Sequence, residues 1–126
     1  MKNMILVAIG GGLGAALRYG AGVWLASKLG PGFPWGTFFV NVTGSFIVGI
    51  VLALASGGEL SAEARLFLAV GLMGGYTTFS SYSYETLAMI SSGSVSAALI
   101  NVFGQLALGF LAVYAGVIVG RLFGGV

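Results

Sequence analysis

The stretch "GGYTTFSSYSYE", from Gly74 to Glu85, is a polar segment inside a chain that is otherwise strongly apolar. Eight of its twelve residues carry a hydroxyl group, and its last residue is a carboxylate. The sequence reads "ARLFLAVGLM" immediately before it and "TLAMI" immediately after it. Polar groups in hydrocarbon are costly unless they face protein or water. We therefore expect this segment to lie in a protein interior or to line a wet pathway.

The composition of the whole chain predicts a membrane protein. Of its 126 residues, 58% are hydrophobic and only 6% are charged, whereas a soluble domain carries about 25% charged residues. A net charge of +2 from eight charged residues does not provide the clustered basic face that nucleic acids need. The sequence contains no Cys and no His, which excludes disulfides, thiol chemistry and imidazole metal ligands.

Apolar runs and turn residues predict an all-α membrane protein with four transmembrane helices in a single domain, residues 1–126. A spanning helix needs about 20 mostly apolar residues. The expected spans are residues 4–27, 36–55, 65–90 and 95–119. We interpret the first run as a span and not as a cleaved signal peptide, because Arg18 follows the apolar run without a cleavage pattern. Lys and Arg hardly favour one side of the membrane, which is compatible with insertion in both orientations.

Two adjacent glycines, Gly74 and Gly75, predict a break in the third span. A break at membrane depth frees carbonyl oxygens that can hold a small cation. It also creates a new helix start near Thr77 or Thr78, where N–H and hydroxyl groups favour an anion. A glycine kink in a packed helix remains the alternative. Downstream of the break, a helical wheel places these residues on one broad arc: Thr78, Phe79, Ser81, Tyr82, Glu85 and Thr86.

The second and fourth spans also carry polar residues at helical spacing. Thr37, Asn41 and Ser45 lie four residues apart and form one polar line. Asn101 and Gln105 are four apart in the fourth span, on the same face as glycines expected to form a packing seam. Unsatisfied amides in hydrocarbon cost several kcal/mol, so these amides need partners. From spacing alone, Asn41 is equally compatible with an interhelical clamp and an ion ligand.

Apart from Arg65 at the first position of the third span, two charged residues fall within the predicted spans. Arg18 interrupts the first span, and Glu85 is the acid of the third. Intramembrane charges mark functional sites by default, and both an ion pair between them and a vestibule lined by Glu85 remain open. Phe79 and Tyr82 are three residues apart, so their rings share a face and can present positive ring edges.

Three blocks of the chain resemble the signature blocks of the Fluc (CrcB) fluoride-channel family: "GGGLGAALRY" (residues 10–19), "FPWGTFFVNVTGSFIVG" (33–49) and "GLMGGYTTFSSYSYE" (71–85). The resemblance covers essentially the whole chain. It implies a fluoride-selective channel of the bacterial plasma or inner membrane that exports fluoride passively and relieves fluoride toxicity. It further implies an antiparallel, dual-topology homodimer with two pathways and a structural sodium ion at its centre.

The resemblance also implies roles for individual residues. Phe79 matches the first of two pathway Phe residues, whereas Tyr82 departs from the second. Backbone carbonyls of Gly74 and Thr77 would hold the sodium ion. The expected fluoride pathway consists of Thr37, Asn41, Phe79, Ser80, Ser81 and Tyr82. Arg18 and Glu85 match charged positions of the family. The fourth span departs from the family's Ser- and Thr-rich track, because this chain has Gly104 and Gln105 there.

Two other functions remain as alternatives. A small proton-coupled multidrug exporter also has four spans, but it needs a central titratable carboxylate, and Glu85 near the end of the third span is the only candidate. A non-transporting membrane scaffold would not retain the polar residues from Gly74 to Glu85. An enzyme is not expected, because the sequence offers no nucleophile–base pair or metal-ligand set.

Overall fold

The computed structural model describes residues 1–124 and contains only helices and their connections in that range. The all-α prediction is therefore confirmed for these residues, and the last two positions of the predicted domain, 125 and 126, lie outside them. The elements are α1 (Lys2–Leu29), α2 (Trp35–Ser56), α3 (Ala62–Arg65), a π-helix (Leu66–Met73), α4 (Gly74–Tyr76), α5 (Phe79–Ser91) and α6 (Val95–Gly124).

Three helices, α1, α2 and α6, are long and apolar enough to cross a membrane. They contain 28, 22 and 30 residues, which corresponds to about 33–45 Å at 1.5 Å per residue, against a hydrocarbon core of about 30 Å. The predicted third span is not one helix. It is divided into α3, the π-helix, α4 and α5, so the structure supports three uninterrupted spans and one composite segment.

The break in this composite segment lies at Thr77 and Thr78 and not at the glycine pair. Gly74 and Gly75 are helical, whereas Thr77 (φ −82°, ψ 161°) and Thr78 (φ −154°, ψ 117°) are extended. The glycine at position 75 serves packing, because a Cβ there would lie 2.9 Å from the Gly11 Cα. The new helix start expected near Thr77 or Thr78 is confirmed, since Thr78 is the N-cap of α5.

Glycines allow close packing in two pairs of helices. In the first pair α1 packs on the π-helix, where a Cβ at Gly10 would lie 2.7 Å from the Phe67 carbonyl oxygen. In the second pair α2 packs on α6, where a Cβ at Gly49 would lie 3.1 Å from the Gly116 Cα. The predicted packing seam of the fourth span is thus confirmed at Gly116. Close backbone approach supplies the dispersion contacts that drive helix association in lipid.

The connections follow ordinary capping and turn chemistry. Ser61 caps α3, and its hydroxyl accepts the Ala64 N–H at 3.1 Å. In the turn before α6, Gly93 has φ +83°, a conformation that favours glycine. Lys2 Nζ lies 3.3 Å from Glu63 Oε1 and ties the start of α1 to α3. The Glu63 backbone N–H and the Lys2 ammonium hold the pKa of the Glu63 carboxyl below its usual value.

Candidate functional site

The side chain of Asn41, in the first half of α2, binds both backbone groups of Thr78 at the break. The Thr78 N–H donates to Asn41 Oδ1 at 2.7 Å, and Asn41 Nδ2 donates to the Thr78 carbonyl oxygen at 3.0 Å. A backbone group in hydrocarbon without a helical partner needs a substitute. Asn41 provides that substitute, so the extended backbone at the break is satisfied from a neighbouring helix.

A line of hydrogen bonds continues from Asn41 into α6 and α5; we call it the polar chain, Asn41–Gln105–Asn101–Thr86. Asn41 Nδ2 donates to Gln105 Oε1 at 2.7 Å, and Gln105 Nε2 donates to Asn101 Oδ1 at 2.8 Å. Asn101 Nδ2 donates to Thr86 Oγ1 at 2.9 Å, and that hydroxyl donates to the Tyr82 carbonyl oxygen at 2.7 Å. Asn101 and Gln105 are buried. The amides of the fourth span therefore have the partners that their burial requires.

Hydroxyl groups cluster at the start of α5. The Thr78 Oγ1 accepts the Ser81 N–H at 3.1 Å and thereby caps the helix. The same oxygen lies 3.2 Å from Ser80 Oγ and donates to Ser81 Oγ at 3.1 Å. These groups lie at the positive end of a 13-residue helix, where a helix favours negative charge.

An open cavity of about 310 Å³ lies against the break. Its lining contains no charged residue and consists of Asn41, Ser45, Val48, Thr77, Thr78, Phe79 and Val113. Phe79 is 78% exposed, and its ring centroid lies 5.6 Å from that of Tyr82. The Tyr82 hydroxyl donates to the Val102 carbonyl oxygen at 3.3 Å. The two rings are therefore adjacent at the break, while the phenol group is directed to α6.

Arg18 and Glu85, the charged residues in the interior of the predicted spans, do not form an ion pair. Arg18 Nη1 donates to the Thr77 carbonyl oxygen at 3.3 Å, and Thr37 Oγ1 donates to Glu85 Oε1 at 2.9 Å. The other oxygen of Glu85 is buried and has no hydrogen-bond partner in residues 1–124. Arg18 and Glu85 nevertheless line one cavity of about 570 Å³, together with Thr37, Thr78 and Ser81.

The structure brings most of the predicted site residues together. Asn41, Phe79, Ser80, Ser81 and Tyr82 all lie within one helical turn or one hydrogen bond of the break. Thr37, Arg18 and Glu85 line the adjacent larger cavity. Gly74 is exposed, and a Cβ built there would meet no atom of residues 1–124 within 4 Å other than its chain neighbours and its own helix backbone.

Sequence reasoning did not assign roles to Asn101, Thr86 and Tyr76. The Tyr76 hydroxyl lies 3.0 Å from Thr43 Oγ1 and links α4 to α2. A signal existed for Asn101, because two amides four residues apart in an apolar helix need common partners. No pattern in the sequence indicated that Thr86 would be one of them, since that contact depends on how α5 packs against α6.

The fold and the site indicate the class of protein. It is a multi-pass α-helical membrane protein whose helix break is lined by uncharged hydrogen-bonding groups and aromatic rings. The family model described as "CrcB-like protein, Camphor Resistance (CrcB)" matches residues 5–117. The chain therefore belongs to the CrcB family, and the resemblance found in the sequence is confirmed.

Curated relatives agree with this family. A protein of Thermus thermophilus named "Fluoride-specific ion channel FluC" is 56% identical over 116 residues, which cover 92% of this chain and 91% of that protein. A protein of the same name from Rhizobium meliloti is 44% identical over 117 residues, covering 92% and 94% of the two chains. Another from Chloroflexus aurantiacus is 43% identical over 126 residues, covering 99% and 100%. The CrcB family and the three apolar helices α1, α2 and α6 together indicate a multi-pass protein of a bacterial membrane.

Proposed function

We propose that this protein is a fluoride-selective channel through which fluoride leaves the cell passively, which relieves fluoride toxicity. The observation that carries the proposal is its membership of a family whose similar curated members are named fluoride-specific ion channels. Those relatives are channels and not enzymes, in agreement with the sequence, which offers no catalytic constellation.

The geometry of the break suits a small, strongly hydrated anion. Fluoride enters a narrow pathway only if protein groups replace its water molecules. Amide N–H groups, hydroxyls and positive ring edges are such groups, and Asn41, Thr78, Ser81 and Phe79 provide them around the break. The cavity lining is uncharged, and conduction requires binding weak enough for the ion to leave.

We assign the pathway to residues on both sides of the break. The proposed pathway residues are Thr37, Asn41, Phe79, Ser80, Ser81 and Tyr82. Arg18 and Glu85 would line the vestibule that leads to them, since both face the cavity of about 570 Å³. Arg18 would attract the anion, and Thr37 would set the orientation of the Glu85 carboxylate through their 2.9 Å hydrogen bond.

We also propose an antiparallel, dual-topology homodimer with two pathways. Phe79, next to the break, is 78% exposed, and Gly74 is also exposed. A break exposed in this way needs cover from protein. A two-fold dimer is the commonest assembly that supplies it, and the weak Lys and Arg asymmetry permits one copy to be inverted.

A structural sodium ion at the dimer centre would use backbone oxygens of Gly74 and Thr77. The Gly74 carbonyl lacks its usual helical donor, because the Thr78 N–H donates to Asn41 instead. The Thr77 carbonyl accepts Arg18 Nη1 at 3.3 Å, so sodium would share this oxygen with Arg18. Residues 1–124 hold no cluster of His, Cys or acidic side chains for a metal, and two copies would contribute four hard carbonyl oxygens.

The decisive experiment is an efflux assay on purified protein in liposomes, followed with a fluoride electrode. We expect fluoride to leave when valinomycin releases the accompanying potassium, without any imposed proton gradient, while chloride is retained. Protein-free liposomes provide the control. Absence of fluoride efflux would contradict the proposal, and transport that requires a proton gradient and is lost in Glu85→Gln would support the multidrug exporter instead.

A further inference from the structure

Both amide hydrogens of Asn41 are already in use. One is donated to the Thr78 carbonyl oxygen at 3.0 Å, and the other to Gln105 Oε1 at 2.7 Å. An anion at the break receives a hydrogen bond from Asn41 only if one of these acceptors gives way. The Thr78 carbonyl is fixed by the backbone, whereas the Gln105 amide ends a side chain that can turn. Gln105 is therefore the acceptor that an anion would displace.

The rest of the polar chain can absorb such a turn. If the Gln105 amide rotates by half a turn, its oxygen faces Asn101 and its Nε2 faces Asn41. If Asn101 turns in the same way, its Nδ2 donates to Gln105 and its oxygen accepts the Thr86 hydroxyl. A hydroxyl both donates and accepts, so Thr86 can end the chain in either direction. The Tyr82 carbonyl loses the Thr86 hydroxyl but keeps its helical N–H donor within α5.

Both directions of the polar chain leave the buried amide of Asn101 hydrogen-bonded, and the reversed direction leaves the N–H groups of Asn41 and Gln105 paired only when an anion accepts both. The oxygen and NH2 of an amide are nearly equal in size, so the reversal needs no additional volume around Asn101, which is fully buried. The two directions of the polar chain differ in which group of Gln105 faces Asn41. In the observed direction Gln105 presents an oxygen there, and in the reversed direction it presents an N–H group.

We propose that Asn41–Gln105–Asn101–Thr86 is a reversible hydrogen-bond chain, and that its reversal turns the Gln105 amide N–H toward fluoride bound at Asn41. This inference rests on the proposed function. With fluoride present, the ion receives two N–H donors, from Asn41 and Gln105. Without fluoride, the same groups satisfy each other, so no cost of unpaired amides accumulates and no fixed charge retains the ion. Gln105 is thus a residue that determines fluoride recognition, although it is buried.

The alternative is a static polar chain in which Gln105 only competes with the ion for Asn41. The variant Gln105→Met distinguishes the reversible chain from the static chain, because methionine has a similar length but neither donates nor accepts hydrogen bonds strongly. A hydrogen bond to an ion is stronger than one between neutral groups, so a reversible chain predicts that fluoride efflux falls about tenfold. A static chain predicts unchanged or faster efflux. Leu106→Met, on the exposed face of the same helix, is the matched control and should retain the parent rate.

A direct measurement does not depend on the variant folding normally. Gln105 is the only Gln in the chain, so protein labelled with 15N-glutamine gives one side-chain nitrogen signal. In labelled native protein in lipid membranes, solid-state NMR measures dipolar dephasing of that nitrogen by 19F-fluoride. We expect dephasing that corresponds to a nitrogen–fluoride distance of about 3 Å, and its loss when chloride replaces fluoride.

The outcomes are distinguishable. No dephasing in a preparation that conducts fluoride would overturn the reversible chain and leave the channel function intact. Efflux from Gln105→Met that equals or exceeds the parent rate would also overturn it. A preparation without fluoride efflux would overturn the channel function and, with it, this inference.

Discussion

Replacing Asn41 with leucine removes three hydrogen bonds from the break while keeping a side chain of similar volume. The partners are the Thr78 N–H at 2.7 Å, the Thr78 carbonyl at 3.0 Å and Gln105 Oε1 at 2.7 Å. Thr78 and Gln105 are both 7% exposed, so water does not readily replace the lost partner. We therefore expect Asn41→Leu to destabilise the fold as well as to abolish fluoride efflux.

The magnitude follows from the groups left unpaired. Each buried group without a partner costs about 1–3 kcal/mol. The three groups are neighbours, so their costs are not additive, and partial relaxation reduces the total to about 3–5 kcal/mol. A loss of this size is a large part of a typical stability of about 5–15 kcal/mol.

Equilibrium unfolding in SDS, followed by the fluorescence of Trp24 and Trp35, measures this difference. Thr43→Val is a matched control on the same helix, because within residues 1–124 the Thr43 hydroxyl hydrogen-bonds only to the Phe39 carbonyl at 2.7 Å and the Tyr76 hydroxyl at 3.0 Å. We expect it to lose no more than about 1.5 kcal/mol. If Asn41→Leu unfolds within about 1 kcal/mol of the parent protein, Asn41 does not hold the break, and the argument from unpaired groups is refuted.

Two further predictions concern α5 and α6. Tyr82→Phe should keep fluoride efflux within about tenfold of the parent, because the ring edge remains and the lost 3.3 Å hydrogen bond to Val102 contributes only about 0.5–1.5 kcal/mol; a larger loss in the liposome assay would mean that the hydroxyl itself is essential. Gly116→Ala should lower the stability in SDS unfolding by about 1–3 kcal/mol, because its Cβ would meet the Phe46 carbonyl oxygen. Gly12→Ala is the control, since a Cβ there would meet no atom of another helix in residues 1–124 within 4 Å, and equal stability of the two variants would argue against the glycine seam.

The sequence by itself determined the class of protein and predicted several of the residues that lie near the break. Its apolar runs required helices, because only internally hydrogen-bonded segments are stable in hydrocarbon. The density of hydroxyls between Gly74 and Glu85 required this segment to face protein or water, and the adjacent glycines predicted an interrupted third span. Local capping chemistry also placed the new helix start, since Thr78 has the side chain that an N-cap needs.

Only the tertiary structure decided where the chain breaks and which groups satisfy it. Gly74-Gly75 resembled the break by local propensity, but Gly75 is held helical where its missing side chain lets α4 approach α1. The break falls instead at Thr77 and Thr78, where Asn41 from another helix accepts and donates the missing hydrogen bonds. Hydrogen-bond partners 37 and 64 residues apart in sequence leave no local pattern, because they depend on the mutual position of helices and not on the propensity of any one segment.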